Sequence, residues 1–196
     1  SLGKVPVISF TGGLLSNAAN YDAIINLWTS YGFIVVNTNN FINFSPSLQV
    51  TSLTELVDQN RNPESPLYNK VDLSKILVSG HSAGGGGSIL ISAVPPKALQ
   101  AIDPEIRLVG SFPLQASFNA TGLGVTVPTL ILTGEIDVIV PPILQGLNTQ
   151  YRFIKKAPAW YIVTRYSNHG TPTLELSRND YAGITVAWIL YRAKND

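Results

Sequence analysis

The 196-residue sequence contains no cysteine. Disulfides, thiolate metal sites and a cysteine nucleophile are therefore excluded within it. Histidine occurs only twice, at His81 and His169, too seldom for a histidine-rich metal centre. Charged residues make up 13% and the formal net charge is +1, so the chain has no electrostatic grip on bulk nucleic acid. No uninterrupted apolar run approaches the roughly 20 residues that a membrane-spanning helix needs. The chain starts at Ser1 and shows no signal-peptide pattern, as expected of a processed or trimmed form. What is present is apolar: 45% of residues are hydrophobic, which excludes a disordered chain and supports one globular unit over residues 1–196. Few charges beside many Asn, Ser and Thr residues suit a secreted protein, and a monomer is expected.

Short β-branched apolar segments alternate with longer helical patterns. Lys4–Phe10, Phe33–Asn37, Lys75–Ser79, Arg107–Phe112, Thr129–Thr133 and Trp160–Arg165 read as strands. They are almost continuously hydrophobic, as parallel strands covered on both faces are. Helices are expected over Asn17–Ser30, Ser47–Asn60, Ser82–Val94, Pro142–Arg152 and Thr173–Arg192. In the first, Tyr21, Ile24, Ile25 and Trp28 fall on one face. This rhythm predicts right-handed crossovers and a doubly wound, mostly parallel α/β sheet of about six strands flanked by helices.

Gly80-His81-Ser82-Ala83-Gly84 lies directly after one predicted strand and directly before a helical run. A nucleophilic serine on a strained strand-to-helix turn needs small residues two before and two after it, where side chains would meet neighbouring backbone. The helix that follows aims its positive end at charge building on a substrate oxygen. A tight glycine turn without chemistry also fits the string alone; the strand–turn–helix context favours Ser82 as nucleophile.

A serine hydroxyl attacks only if a base takes its proton. His81 is adjacent to Ser82, and neighbouring side chains on such a turn diverge. His169, in the loop after the last predicted strand, is therefore the expected base. Among twelve acidic residues, the partner acid is expected after the penultimate strand, where Glu135 and Asp137 compete and alternation favours Asp137. The order Ser82, Asp137, His169 is the one this strand order requires. An oxyanion hole needs backbone N–H donors; Ala83 and Leu14, the latter in the glycine-bearing loop after the first strand, are the candidates. The run Gly84–Gly87, poor in side chains at about 1 kcal/mol per glycine in a helix, makes sense where another backbone packs closely.

The run from Gly80 to Ser88, continuing into Ile89-Leu90-Ile91-Ser92-Ala93, resembles the bacterial cutinase-like polyester hydrolases of the α/β-hydrolase superfamily, which include enzymes degrading poly(ethylene terephthalate). Further stretches resemble the same family: Tyr31–Asn39, Ser65–Asp72, Val127–Ile131, Glu135–Pro141 and Val186–Trp188. The resemblance implies Ser82 as nucleophile, Asp137 as acid, His169 as base, and Leu14 and Ala83 as oxyanion donors, with Gly13, Leu14, His81, Ala83 and Phe118 against substrate. The family usually has two more strands before Lys4, an extension beyond Asp196 and often a disulfide, so a reduced version of the fold is expected. Leu14 stands where the family usually has tyrosine and Ala83 where it has methionine. The family's tryptophan falls near Ser117 or Phe118, of which only Phe118 offers an aromatic face.

The resemblance implies cleavage of carboxylic esters through an acyl-enzyme, with no metal and no organic cofactor. Polymeric polyesters and short-chain soluble esters are the expected substrates, and the less aromatic pocket weakens the case for terephthalate. An acyltransferase, a lipase-like esterase or peptidase on small substrates, and a non-catalytic binding module on the same scaffold are the alternatives.

Overall fold

The computed structural model describes residues 3–38 and 45–195; Asn39, the end of one family-like stretch, lies outside the described residues. Among the described residues there are six strands: β1 (Val5–Thr11), β2 (Ile34–Thr38), β3 (Val71–His81), β4 (Leu108–Leu114), β5 (Thr129–Gly134) and β6 (Ala159–Thr164). They form one sheet in the order β2-β1-β3-β4-β5-β6. Every neighbouring pair is parallel.

The strand sequences explain why helices cover both faces. Successive side chains alternate between faces. Ile8, Phe10, Leu77, Leu130 and Leu132 join one buried layer with residues of α1 (Asp22–Ser30) and α5 (Ala182–Ala193). Val7, Ile76 and Val78 join another with α2 (Ser47–Arg61), α3 (Ala83–Ser92) and α4 (Pro96–Leu99). Apolar residues at both parities leave no polar face for water, hence the continuous hydrophobic runs. Trp28 Nε1 donates to Thr185 Oγ1 at 3.0 Å and ties α1 to α5 inside the first layer. Among the described residues, no helix is long and apolar enough to cross a membrane.

Several expected boundaries move. β3 begins at Val71 rather than Lys75, because Val71 pairs with Val5 ahead of a register shift. Asp72, Ser74 and Lys75 interrupt the apolar pattern there and hide the extension. The first helix opens as a 3-10 turn, Ala18–Tyr21, capped reciprocally by Asn17 and Asn20. The helix expected over Pro142–Arg152 is instead a π-helical turn, Leu144–Thr149, followed by the 3-10 turn Tyr151–Phe153. Gly146 lies under the Tyr161 ring there, where a Cβ would come within 2.9 Å of the ring. The last helix starts at Ala182 rather than Thr173, after two 3-10 turns. The Asn179 side chain accepts the Tyr181 N–H at 3.1 Å, a local bond that competes with helix continuation.

β1 lies between β2 and β3, so the chain changes winding direction there and a crevice opens beyond the carboxyl ends of β1 and β3. The first turn of α3 sits on the end of β1. A Cβ on Gly84 would lie 2.1 Å from the Thr11 carbonyl oxygen, and one on Gly80 would lie 2.4 Å from the Gly84 carbonyl. Both obstacles are backbone and cannot swing aside. Gly84→Ala is therefore expected to cost about 3 kcal/mol or more; urea unfolding measures this, and an unchanged midpoint would show that the contact is not tight.

Candidate active site

Ser82 occupies the turn between β3 and α3 with φ 53° and ψ −115°. A serine rarely adopts positive φ, and here surrounding bonds impose it. The Ser82 N–H donates to the Leu114 carbonyl at 3.0 Å, and its own carbonyl accepts from Gly86 and Ser117. The turn is thus clamped between β4 and the helix it starts.

His169 reaches this turn from the loop after β6. Its Nε2 lies 3.0 Å from Ser82 Oγ. Its Nδ1 lies 2.8 Å from Asp137 Oδ2. The carboxylate can only accept, so Nδ1 carries the proton and Nε2 is left to accept from the serine hydroxyl. Asp137 Oδ1 is occupied by the N–H groups of Ile139 and Val140, each at 2.9 Å. One oxygen is fixed by backbone and the other faces the imidazole. Glu135, the competing acid, is exposed and accepts the Tyr166 N–H at 3.2 Å, away from His169.

Buried amide side chains hold the loops that carry these groups. Gln115 donates to the Asn168 carbonyl at 2.6 Å, beside His169. Gln145 donates to Thr133 Oγ1 at 2.7 Å and to the Val140 carbonyl at 3.0 Å, within the Asp137 loop. Gln150 donates to the Ser117 carbonyl at 2.9 Å, in the segment facing Ser82. Ser167 Oγ donates to Asp180 at 2.7 Å. Sequence reasoning missed these residues, because a glutamine in a surface-like stretch carries no periodic signal of being turned inward.

Ser82 opens into a cleft of about 320 Å³ lined by Leu14, Ser117, Phe118, Asn119, Ile139 and Val140. Leu14 and Phe118 form part of the mouth, at 43% and 56% exposure. Ser117 Oγ is hydrogen-bonded to Asn119 Oδ1 on one wall. Ala83 is buried; as first residue of α3 its N–H has no intrahelical acceptor. Gly13 lies against the Ser82 turn, where a Cβ would be 3.4 Å from Ser82 Cβ. His81 departs from the expected substrate contact. It is buried beneath the cleft, 2.9 Å from the Tyr21 hydroxyl through Nδ1, because the turn sends adjacent side chains to opposite sides. A second groove, about 370 Å³ between β6 and α5, is lined by Trp160, Trp188, Tyr191 and aliphatic residues and holds none of these groups.

A parallel doubly wound sheet, with a serine on the strained turn after β3 and an acid and a histidine following β5 and β6, defines an α/β-hydrolase fold. A family model described as PET hydrolase-like (PETase) matches residues 1–196, and the chain belongs to that family. It is similar to cutinase est1 of Thermobifida alba, 31% identical over 116 residues, covering 57% of this chain and 36% of the relative. Cutinase 2 of Thermobifida cellulosilytica is 29% identical over 175 residues, 85% of this chain and 60% of the relative. Cutinase cut1 of Thermobifida fusca is 29% identical, also over 175 residues, 85% of this chain and 50% of the relative. The matched part of the chain therefore spans less than two thirds of the length of each of these relatives.

Burial, and next the neighbouring His169, push His81 down from its ordinary 6.5 to about 3. A base with a lower pKa folded than unfolded binds its proton more readily in the unfolded chain. Stability from neutral His81 is therefore complete above pH 6.5 and is lost as pH falls toward 3, by up to about 1.4 kcal/mol per pH unit. Urea midpoints of the wild type are expected to fall more steeply on acidification than those of His81→Phe. Parallel profiles would contradict this.

Proposed function

We propose that the protein is a serine carboxylic-ester hydrolase acting on cutin-type and related polyesters and on short-chain soluble esters. One observation carries this reading: the unbroken relay Asp137 Oδ2–His169 Nδ1 at 2.8 Å and His169 Nε2–Ser82 Oγ at 3.0 Å, ending at a serine on a strained turn. His169 takes the Ser82 proton as Oγ bonds to the ester carbonyl carbon, and Asp137 orients and stabilises the resulting imidazolium. The Leu14 and Ala83 amides receive the charge on the carbonyl oxygen. Collapse of the tetrahedral species expels the alcohol, which leaves with the proton from His169. Water, activated by the same imidazole, then releases the acid and restores Ser82.

Membership of the PET hydrolase-like family and similarity to enzymes named cutinases support a polyester as the extended substrate. Leu14, Ile139 and Val140 give the cleft an aliphatic lining, with Phe118 as its aromatic component, which suits aliphatic ester chains better than stacked terephthalate. Low charge and a composition rich in Asn, Ser and Thr support an extracellular site of action.

Hydrolysis of p-nitrophenyl butyrate tests the mechanism. Ser82→Ala is expected to lower kcat about 10⁴-fold or more, and Asp137→Asn about 10²- to 10⁴-fold. Glu135→Gln is expected to leave kcat within about twofold of wild type. A Ser82→Ala variant retaining a tenth of the wild-type rate would refute the role given to Ser82. Release of soluble acid from cutin or an aliphatic polyester film tests the substrate class; activity confined to soluble esters would overturn it.

A further inference from the structure

Gly13, beside the Ser82 turn, is held through both of its peptide units, the Gly12–Gly13 unit by Tyr21 and the Gly13–Leu14 unit by Ser16. Its N–H donates to the Tyr21 hydroxyl oxygen at 2.8 Å. Its carbonyl accepts from Ser16 Oγ at 2.7 Å and from the Ser16 N–H at 3.2 Å. A trans peptide is planar, so the Gly13 carbonyl and the Leu14 N–H point in opposite directions from one rigid unit. Fixing the carbonyl therefore aims the Leu14 N–H. The Gly13 amide is engaged by Tyr21, which leaves the oxyanion role in this loop to Leu14.

Tyr21 is anchored in turn. Its hydroxyl shares a hydrogen bond of 2.9 Å with His81 Nδ1, and the rings meet edge-on at 5.8 Å. Tyr21 is 1% exposed and His81 5% exposed. His81 immediately precedes Ser82, and its ring lies 4.7 Å from that of His169. The His169 main chain and the Gln115 side chain are further polar neighbours. One buried hydroxyl thus links the loop after β1 to the turn that carries Ser82.

We infer that Tyr21, braced by His81, is a positioning residue that holds the Leu14 amide in register with Ser82 for the oxyanion. This rests on the reading of Ser82 as nucleophile and Leu14 as donor. Misplacing a donor by a fraction of an ångström weakens only the bond to the developing charge, so the loss falls on kcat rather than on KM.

The test compares wild type, Tyr21→Phe, His81→Phe, His81→Gln and the double variant Tyr21→Phe/His81→Phe on p-nitrophenyl butyrate, with Ser82→Ala as control. Tyr21→Phe is expected to lower kcat about 10- to 100-fold with KM within about twofold. Affinity for a trifluoromethyl ketone, which mimics the tetrahedral species, is expected to fall by the same factor. His81→Gln, which keeps a hydrogen-bonding group for the Tyr21 hydroxyl, is expected to retain more activity than His81→Phe. The double variant is expected to be no worse than its more impaired single parent, as for two members of one link. Wild-type kcat and analogue affinity in a folded Tyr21→Phe would overturn the positioning role. A proportional loss in kcat, KM and thermal midpoint would overturn it too, by marking Tyr21 as merely structural. Full activity in Ser82→Ala would instead refute the nucleophile assignment, and the positioning role with it.

Discussion

Backbone touches backbone where the end of β1 meets the first turn of α3, and the rest of the site depends on that contact. The Thr11 carbonyl oxygen stands where any side chain at position 84 would have to go. The helix can therefore start close to the sheet only after a very sharp turn. That turn places Ser82 at φ 53°, a conformation that costs roughly 1–3 kcal/mol and persists because bonds from β4 and α3 hold it. The turn presents Ser82 to the cleft beside the start of α3, whose first amides have no intrahelical acceptor. The same closeness brings the loop after β1 against the turn. The position of Ser82, the start of α3 and the neighbouring loop all follow from one steric requirement for glycine.

A layer of uncharged hydrogen bonds keeps the remaining groups in place. Gln115, Gln145, Gln150 and Tyr21 each bond to main chain in a loop of the site. Neutral partners serve well here, since a buried amide or hydroxyl costs far less to desolvate than an ion. Asp137, the buried carboxylate of the site, has its oxygens assigned to two backbone N–H groups and the His169 ring. Each loop is held from below, which leaves the cleft above Ser82 lined by apolar side chains.

The sheet was legible because both faces are covered, so the strand cores read as apolar runs, whereas the polar start of β3 did not. Ser82, Asp137 and His169 were legible for another reason. Their types are scarce, and each falls directly after a strand whose carboxyl end must face the crevice. Where local and tertiary demands disagreed, sequence pattern failed. The segment Pro142–Arg152 has helical spacing, yet with Gly146 pressed against Tyr161 and Gln145 turned inward it forms a π-helical turn. The segment before Ala182 looks helical, but the Asn179 side chain takes the Tyr181 N–H in a local bond that competes with helix continuation. The family resemblance implies His81 as a substrate contact, whereas the divergence of side chains at the turn buries it. Tyr21 carried a helical-face signal that marked it as core, and nothing in the pattern distinguished its hydroxyl.

Covalent trapping addresses convergence of the three side chains most directly. A fluorophosphonate reacts with a serine only when a base and an oxyanion site act on it together. Peptide mass spectrometry is expected to find a single adduct, on Ser82, that disappears in His169→Ala. An unlabelled Ser82 in the folded protein, or labelling indifferent to the loss of His169, would contradict the account.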